Sequence, residues 1–115
     1  MSKMPLPDMS SEMGNDEMDR IAKSAAEAAA FLKAIAHEGR LMILCNLASG
    51  EKSVTELEEL LSTRQASVSQ QLARLRLEGL VEPRRDGKTI YYSLADDRPK
   101  QLMEVLYELF CKPDS

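Results

Sequence analysis

Three features of the 115-residue sequence predict a mainly α-helical fold with one small β-hairpin, a winged helix-turn-helix of five helices and a two-stranded wing. Ser53-Val54-Thr55-Glu56 is a capping box that opens a short amphipathic segment. A second start signal, Ser62 to Gln65, opens a longer one after the three-residue turn Ser62-Thr63-Arg64. Two β-prone runs then flank Asp86-Gly87, the strongest short-range hairpin signal.

The elements follow in order. From Ile21 to Ala36, Ile21, Ala25, Ala28, Leu32 and Ile35 recur at three and four, which marks one helical stripe. Ala25 to Ala30 adds strong intrinsic propensity. A second helix is expected from Glu38 to Ala48, with Leu41, Leu44, Cys45 and Ala48 on its packed face and Gly50 as its stop. The capped third helix buries Val54, Leu57 and Leu61. The fourth runs from Gln65 to Glu78 on a core stripe of Val68, Leu72 and Leu75, and ends at Gly79. Leu80 to Arg85 and Thr89 to Leu94 form the hairpin, joined across Asp86-Gly87. Asp96, Asp97 and Pro99 begin a final helix striped by Leu102, Val105, Leu106 and Leu109, with Phe110 beside it.

Residues 1–20 differ from the rest. Pro5, Pro7, Gly14 and five acidic side chains with no apolar periodicity read as a flexible acidic arm, leaving residues 21–115 as the folded domain. No apolar run approaches the roughly 20 residues that span a bilayer, and the arm lacks a basic-then-apolar leader. A cytoplasmic protein without a membrane partner is expected, with its cysteines reduced unless they do chemistry.

The net charge of −4 argues against a polyanion partner until its distribution is read. Between Ser62 and Lys88, six basic side chains face three acidic ones, so that segment is +3 and the remainder −7. An acidic body with one basic flank orients on double-stranded DNA. In a helix-turn-helix the second helix enters the major groove. On the fourth helix Gln65, Ser67, Ser69, Gln70, Gln71 and Arg74 are the expected base- and phosphate-reading set: glutamine pairs with adenine, arginine with guanine, serine with either. Arg84, Arg85 and Lys88 crowd the wing tip, where they fit phosphate or minor-groove contact. Either feature alone is equally a solvated polar face or a solubility device. Their order along the chain favours DNA. A winged-helix module that binds protein and not DNA is the alternative from another class, and the groove face argues against it. Nothing resembles a nucleophile–base pair, a phosphate loop or a catalytic metal site, so no enzyme and no cofactor are expected.

Leu32-Lys33-Ala34-Ile35-Ala36-His37-Glu38-Gly39-Arg40-Leu41, Ser67-Val68-Ser69-Gln70-Gln71-Leu72, Leu75, Glu78-Gly79-Leu80-Val81 and Arg84-Arg85-Asp86-Gly87-Lys88 resemble the ArsR family of bacterial repressors, from roughly Ala29 to Phe110. The resemblance implies a homodimer built from the first and last helices, an imperfect palindromic operator, and an inducer that releases it. Family members that bind metal through Cys-x-Cys carry it on the helix before the reading helix, and Val54 to Leu60 has no thiol. The last helix has Glu104 and Glu108 but no histidine. His37, the single histidine, is expected to cap or hydrogen-bond near the second helix start. Two cysteines and one distant histidine do not complete a soft-metal site within one chain. No metal site is expected, and a metal- or metalloid-responsive repressor using both thiols is the alternative.

Cys45 and Cys111 are the two thiols. Each alone reads as a small buried apolar side chain. Their placement, one on the second helix and one on the last, 66 positions apart, is similar to the persulfide-responsive SqrR/BigR branch of the family. That likeness implies a redox-sensing dithiol that persulfides or oxidants convert to a di- or polysulfide bridge, lowering DNA affinity.

Overall fold

The computed structural model describes residues 14–61 and 65–113, with the backbone alone at residues 65 and 66. Expectations for residues 1–13 and for the Ser62-Thr63-Arg64 turn lie outside the described residues. The chain divides into compact units of residues 1–32 and 33–115.

Helix α1 spans Asn15–Ile35. It starts six residues before the expected Ile21, so residues 15–20, assigned from sequence to the arm, are helical. Asp16 and Glu17 fall in its first turn, where carboxylates complement the helix dipole. In the second unit, α2 (Glu38–Leu47), α3 (Val54–Leu61), α4 (Gln65–Leu77) and α5 (Asp97–Leu106) surround strands β1 (Lys52–Ser53), β2 (Val81–Asp86) and β3 (Thr89–Leu94). The last helix continues as a π-helical segment, Tyr107–Cys111, whose wider turn is closed by the Lys112 N–H donating to the Tyr107 carbonyl at 2.8 Å.

Local chemistry sets the boundaries. His37 is the N-cap of α2, its Nδ1 accepting the Gly39 N–H at 3.0 Å. At α3 the Glu56 N–H donates to Ser53 Oγ at 3.0 Å, and the Ser53 N–H donates to Glu56 Oε1 at 2.9 Å, the reciprocal pair that the capping box calls for. Past α4, Gly79 adopts φ +75°, its N–H reaches the Arg76 carbonyl, and the Leu80 N–H reaches the Leu75 carbonyl. That is a Schellman closure, and it turns the chain from α4 into the wing.

The sheet is antiparallel in the order β1-β3-β2, so the wing carries a third, two-residue strand beyond the expected two. Lys52-Ser53 has no alternating pattern to announce it, and its partner Tyr91-Tyr92 lies across the chain. The hairpin turn is Gly87-Lys88, one residue beyond the expected Asp86-Gly87, because Asp86 still pairs with Thr89. Gly87 takes φ +63° at its first central position.

Ile43, Leu44 and Leu47 of α2, Leu57 of α3, Val68, Leu72 and Leu75 of α4, Leu80 and Val81, and Met103 of α5 form the core. Three expected faces shift. On α3 Leu57 is buried, while Val54 and Leu61, expected beside it, are half-buried. Apolar residues run nearly all round α2, so periodicity picks no unique stripe; Ile43 and Leu47 are buried, while Leu41 and Ala48 are half-buried and Cys45 is exposed. On the last helix Leu102 and Leu106 are half-buried, and Val105 and Leu109 are exposed.

Leu44→Ala is expected to destabilise the protein by about 2–5 kcal/mol, since no solvent reaches that side chain. Gly79→Ala should cost about 1–2 kcal/mol through its left-handed backbone, with open space for the methyl group. Urea denaturation measures both; a Leu44→Ala loss within about 0.5 kcal/mol, the range of ordinary surface changes, would contradict the core assignment.

Candidate DNA interface and dithiol site

Helix α4 presents a mixed surface. Ser69, Gln70 and Arg74 are exposed on the side away from Val68, Leu72 and Leu75. Ser67 and Gln71, grouped with them from sequence, are half-buried. At about 100° per residue they flank the core stripe on the side that meets α2. With His37, Glu38, Gly39 and Met42 they line a cavity of about 480 Å³ between the start of α2 and α4. There Arg40 Nη1 donates to Gln71 Oε1 at 3.3 Å, and Arg40 Nε donates to the Ala34 carbonyl at the end of α1. The side chain of Gln65, at the start of α4, lies outside the described part. Arg74 pairs with Glu78 one turn on, at 3.5 Å.

The structure adds Arg76, which sequence reasoning passed over. It is rotated about 200° from Arg74 and so falls on the wing side of α4. With Arg85, Pro83, Ile90 and Tyr92 it lines a groove of about 330 Å³. Arg76, Arg85 and Lys88 are exposed and make no ion pair among the described residues.

Arg84 is occupied otherwise. Its Nε and Nη2 donate to the two Glu51 oxygens at 3.0 and 2.7 Å, and its guanidinium lies 4.7 Å from the centre of the Tyr91 ring. The Arg84 hydrogen bonds hold the Glu51 carboxyl below its usual range, and Glu51 in turn raises Arg84. Of the three expected wing cations, Arg84 therefore anchors the wing to the loop after α2, and Arg85 and Lys88 face solvent.

Both cysteines are unbridged and exposed, so neither is the buried apolar residue that each alone resembled. Although Cys45 is exposed as a residue, its sulfur is partly covered: Sγ lies 3.5 Å from Sδ of the buried Met103. The thiol borders an open groove of about 460 Å³ with Ala48, Ser49, Met103, Glu104, Tyr107 and Glu108, between α2 and the last helix. Burial first, and the negative charge of Cys111 second, push the Cys45 thiol up from its ordinary value. Cys111 ends the same last helix whose Met103, Glu104, Tyr107 and Glu108 line this groove. Lys112, next to Cys111, is tied to Glu108 at 2.9 Å. Among the described residues no three His, Cys, Asp or Glu side chains come together as a metal site, and no helix is long and apolar enough to cross a membrane.

A capped helix-turn-helix followed by a basic wing defines a winged-helix transcription regulator. Residues 37–83 match the family model described as bacterial regulatory protein, arsR family, and the chain belongs to that DNA-binding family. It is 47% identical over 103 residues to the biofilm growth-associated repressor of Agrobacterium fabrum, covering 90% of this chain and 88% of that protein. Reduced HlyU from Vibrio cholerae superposes with a TM-score of 0.77 at 41% identity, over 82% of this chain and 99% of that one. A homodimeric winged helix-turn-helix DNA-binding domain from Mycobacterium bovis superposes at 0.68 with 29% identity, over 87% and 89%.

Because the Cys45 pKa is raised, its thiolate fraction at neutral pH is low and grows as pH rises. Alkylation of Cys45, followed by peptide mass spectrometry across pH, should show a midpoint above the roughly 8.5 of a free thiol. Cys111→Ser removes the smaller cause and should bring the midpoint only part of the way back. A wild-type midpoint at or below that of a free thiol would contradict the assigned environment.

Proposed function

We propose that the chain is a homodimeric repressor that reads an imperfect palindrome with α4 and the wing, and that persulfide bridging of Cys45 and Cys111 releases the DNA. The observation that carries the sensing half is the placement of the only two thiols of the sequence: Cys45 borders the groove between α2 and the last helix, and Cys111 ends that helix. The exposed apolar side chains Val105, Tyr107, Leu109 and Phe110, uncovered by the rest of the winged-helix unit, support a dimer face; Phe110 is 79% exposed. The resemblance to the SqrR/BigR branch supports the same thiol chemistry, and the Vibrio cholerae relative HlyU has a structure in a reduced form.

The chemistry balances without an outside oxidant. The thiolate of the exposed Cys111 attacks the terminal, sulfane sulfur of a persulfide RSSH; the S–S bond breaks, RSH leaves, and Cys111 carries –SSH. The Cys45 thiolate then attacks the inner Cys111 sulfur and expels HS⁻, leaving a Cys45–Cys111 disulfide. One persulfide is reduced to RSH and H₂S while two thiols are oxidised. Further persulfide inserts further sulfur, which relaxes the Cα separation of about 7 Å that limits a direct bridge.

A bridge would clamp the last helix to α2, and α2 holds α4 through Arg40. In a dimer that changes the spacing of two reading helices whose half-sites lie a fixed helical turn apart. A coupling of about 1–3 kcal/mol is enough for regulation.

Persulfide-treated protein is expected to lose the hydrogens of both thiols, gain a whole sulfur mass for each sulfur inserted beyond the direct bridge, and leave its operator, while Cys45→Ser and Cys111→Ser stay bound. Release by a metal or metalloid and not by persulfide would favour the rival inducer.

On DNA, Gln70→Ala should cost about 1–3 kcal/mol on the operator and relax specificity at one position. Arg85→Gln should weaken binding to all sequences alike and lower the salt slope by about one. Gel-shift titrations across salt read both. An unchanged slope in Arg85→Gln would remove the wing from the interface.

A further inference from the structure

We infer that one sugar–phosphate strand of the DNA runs through the groove between α4 and the wing, and that Arg76 grips it from the helix side, opposite Arg85. The inference rests on the proposed reading of DNA by α4 and the wing, and it adds a phosphate-binding residue to that reading.

Successive side chains of a strand point to opposite faces, and in the wing this alternation sorts charge. Glu82, Arg84 and Asp86 share one face of β2, where Arg84 lies 2.7 Å from Glu51 and 4.0 Å from Asp86. Pro83 and Arg85 share the other face, paired with Tyr92 and Ile90 of β3. Val81 heads this second face and is buried, and the groove beyond it is closed on its far side by Arg76 of α4. Strand β3 has no acidic residue, so both carboxylates of the wing strands lie on the outer face.

The groove of about 330 Å³ therefore has an arginine on each side, with Pro83, Ile90 and Tyr92 as the rest of its lining and no carboxylate among them. Arg76 and Arg85 are exposed, and neither makes an ion pair among the described residues. Two like charges that border one groove repel, and an anion between them relieves the repulsion. Guanidinium is the side-chain group that matches phosphate oxygens in a bidentate manner.

The geometry of B-DNA supplies the occupant. A major groove and the minor groove beside it are separated by one sugar–phosphate strand. A helix in the first and a wing in the second straddle that strand, and what lies between helix and wing touches it from both sides. Arg74 is rotated about 200° from Arg76 on the same helix and is tied to Glu78. Arg76 is thus the cation that the described part of α4 brings to this strand.

Gel-shift titration across salt tests this, with the full chain and a duplex that wild type selects from a randomised library. Arg76→Gln should weaken binding to selected and unrelated duplexes alike, lower the salt slope by about one, and leave the selected consensus unchanged. Arg76→Lys keeps the charge and should restore the slope. A neutral methylphosphonate placed at single positions of the duplex locates the contact. Wild type should lose affinity when it replaces a phosphate of the strand between the helix and wing contacts; Arg76→Gln should be indifferent there and sensitive elsewhere. A wild-type slope in Arg76→Gln would overturn the inference, whether or not affinity falls. So would a methylphosphonate in that strand that harms Arg76→Gln as much as wild type. A wild-type selection that returns no consensus would instead sink the DNA-reading assignment beneath it.

Discussion

Helix α2 is seated by Ile43, Leu44 and Leu47, whose side chains are at most 2% exposed and which lock it into the core with Leu57, Leu72 and Leu75. Burial of several large aliphatic side chains at about 1.5–3 kcal/mol each outweighs any polar contact in the unit. That seating fixes everything functional on the helix. Its start holds Arg40 against Gln71 of α4; its next turn carries Cys45 against Met103. Because a close-packed core does not deform smoothly, a change forced at one place on α2 is felt along its length.

Charge in this unit is spent locally before any is left for a partner. Arg74 is tied to Glu78 and Arg84 to Glu51. Exposed pairs of this kind contribute little to stability, so their effect is to orient side chains. Among the described residues of α4 and the wing, Arg76 and Arg85 remain unpaired along the groove where the two meet, and Lys88 is exposed at the hairpin turn. A chain of net charge −4 can present such a face because 16 of its 19 acidic residues lie outside residues 62–88.

Much of this architecture is legible in the sequence because its signals are local. The Ser53/Glu56 box, the Gly79 stop and the Gly87 turn each rest on backbone chemistry within a few residues, and each appears as expected, the turn displaced by one. What is lost is what depends on a neighbour from elsewhere in the chain. Strand β1 exists only because β3 lies beside it. The burial of Gln71 and the anchoring of Arg84 require α2 and Glu51. Cys45 was misplaced for the opposite reason: a helix apolar on nearly every side gives periodicity nothing to choose between. The π segment leaves no mark in residue type at all.

The Glu51–Arg84 clamp lies at the protein surface, its side chains 34% and 54% exposed, so dissolved ions reach it as readily as they reach DNA phosphates. Ionic strength then acts on this regulator twice. Salt displaces the protein from a polyanion by the usual competition of counterions. It also loosens the strut that braces the wing, so the hairpin becomes a softer element. The brine that weakens the grip slackens the hand as well.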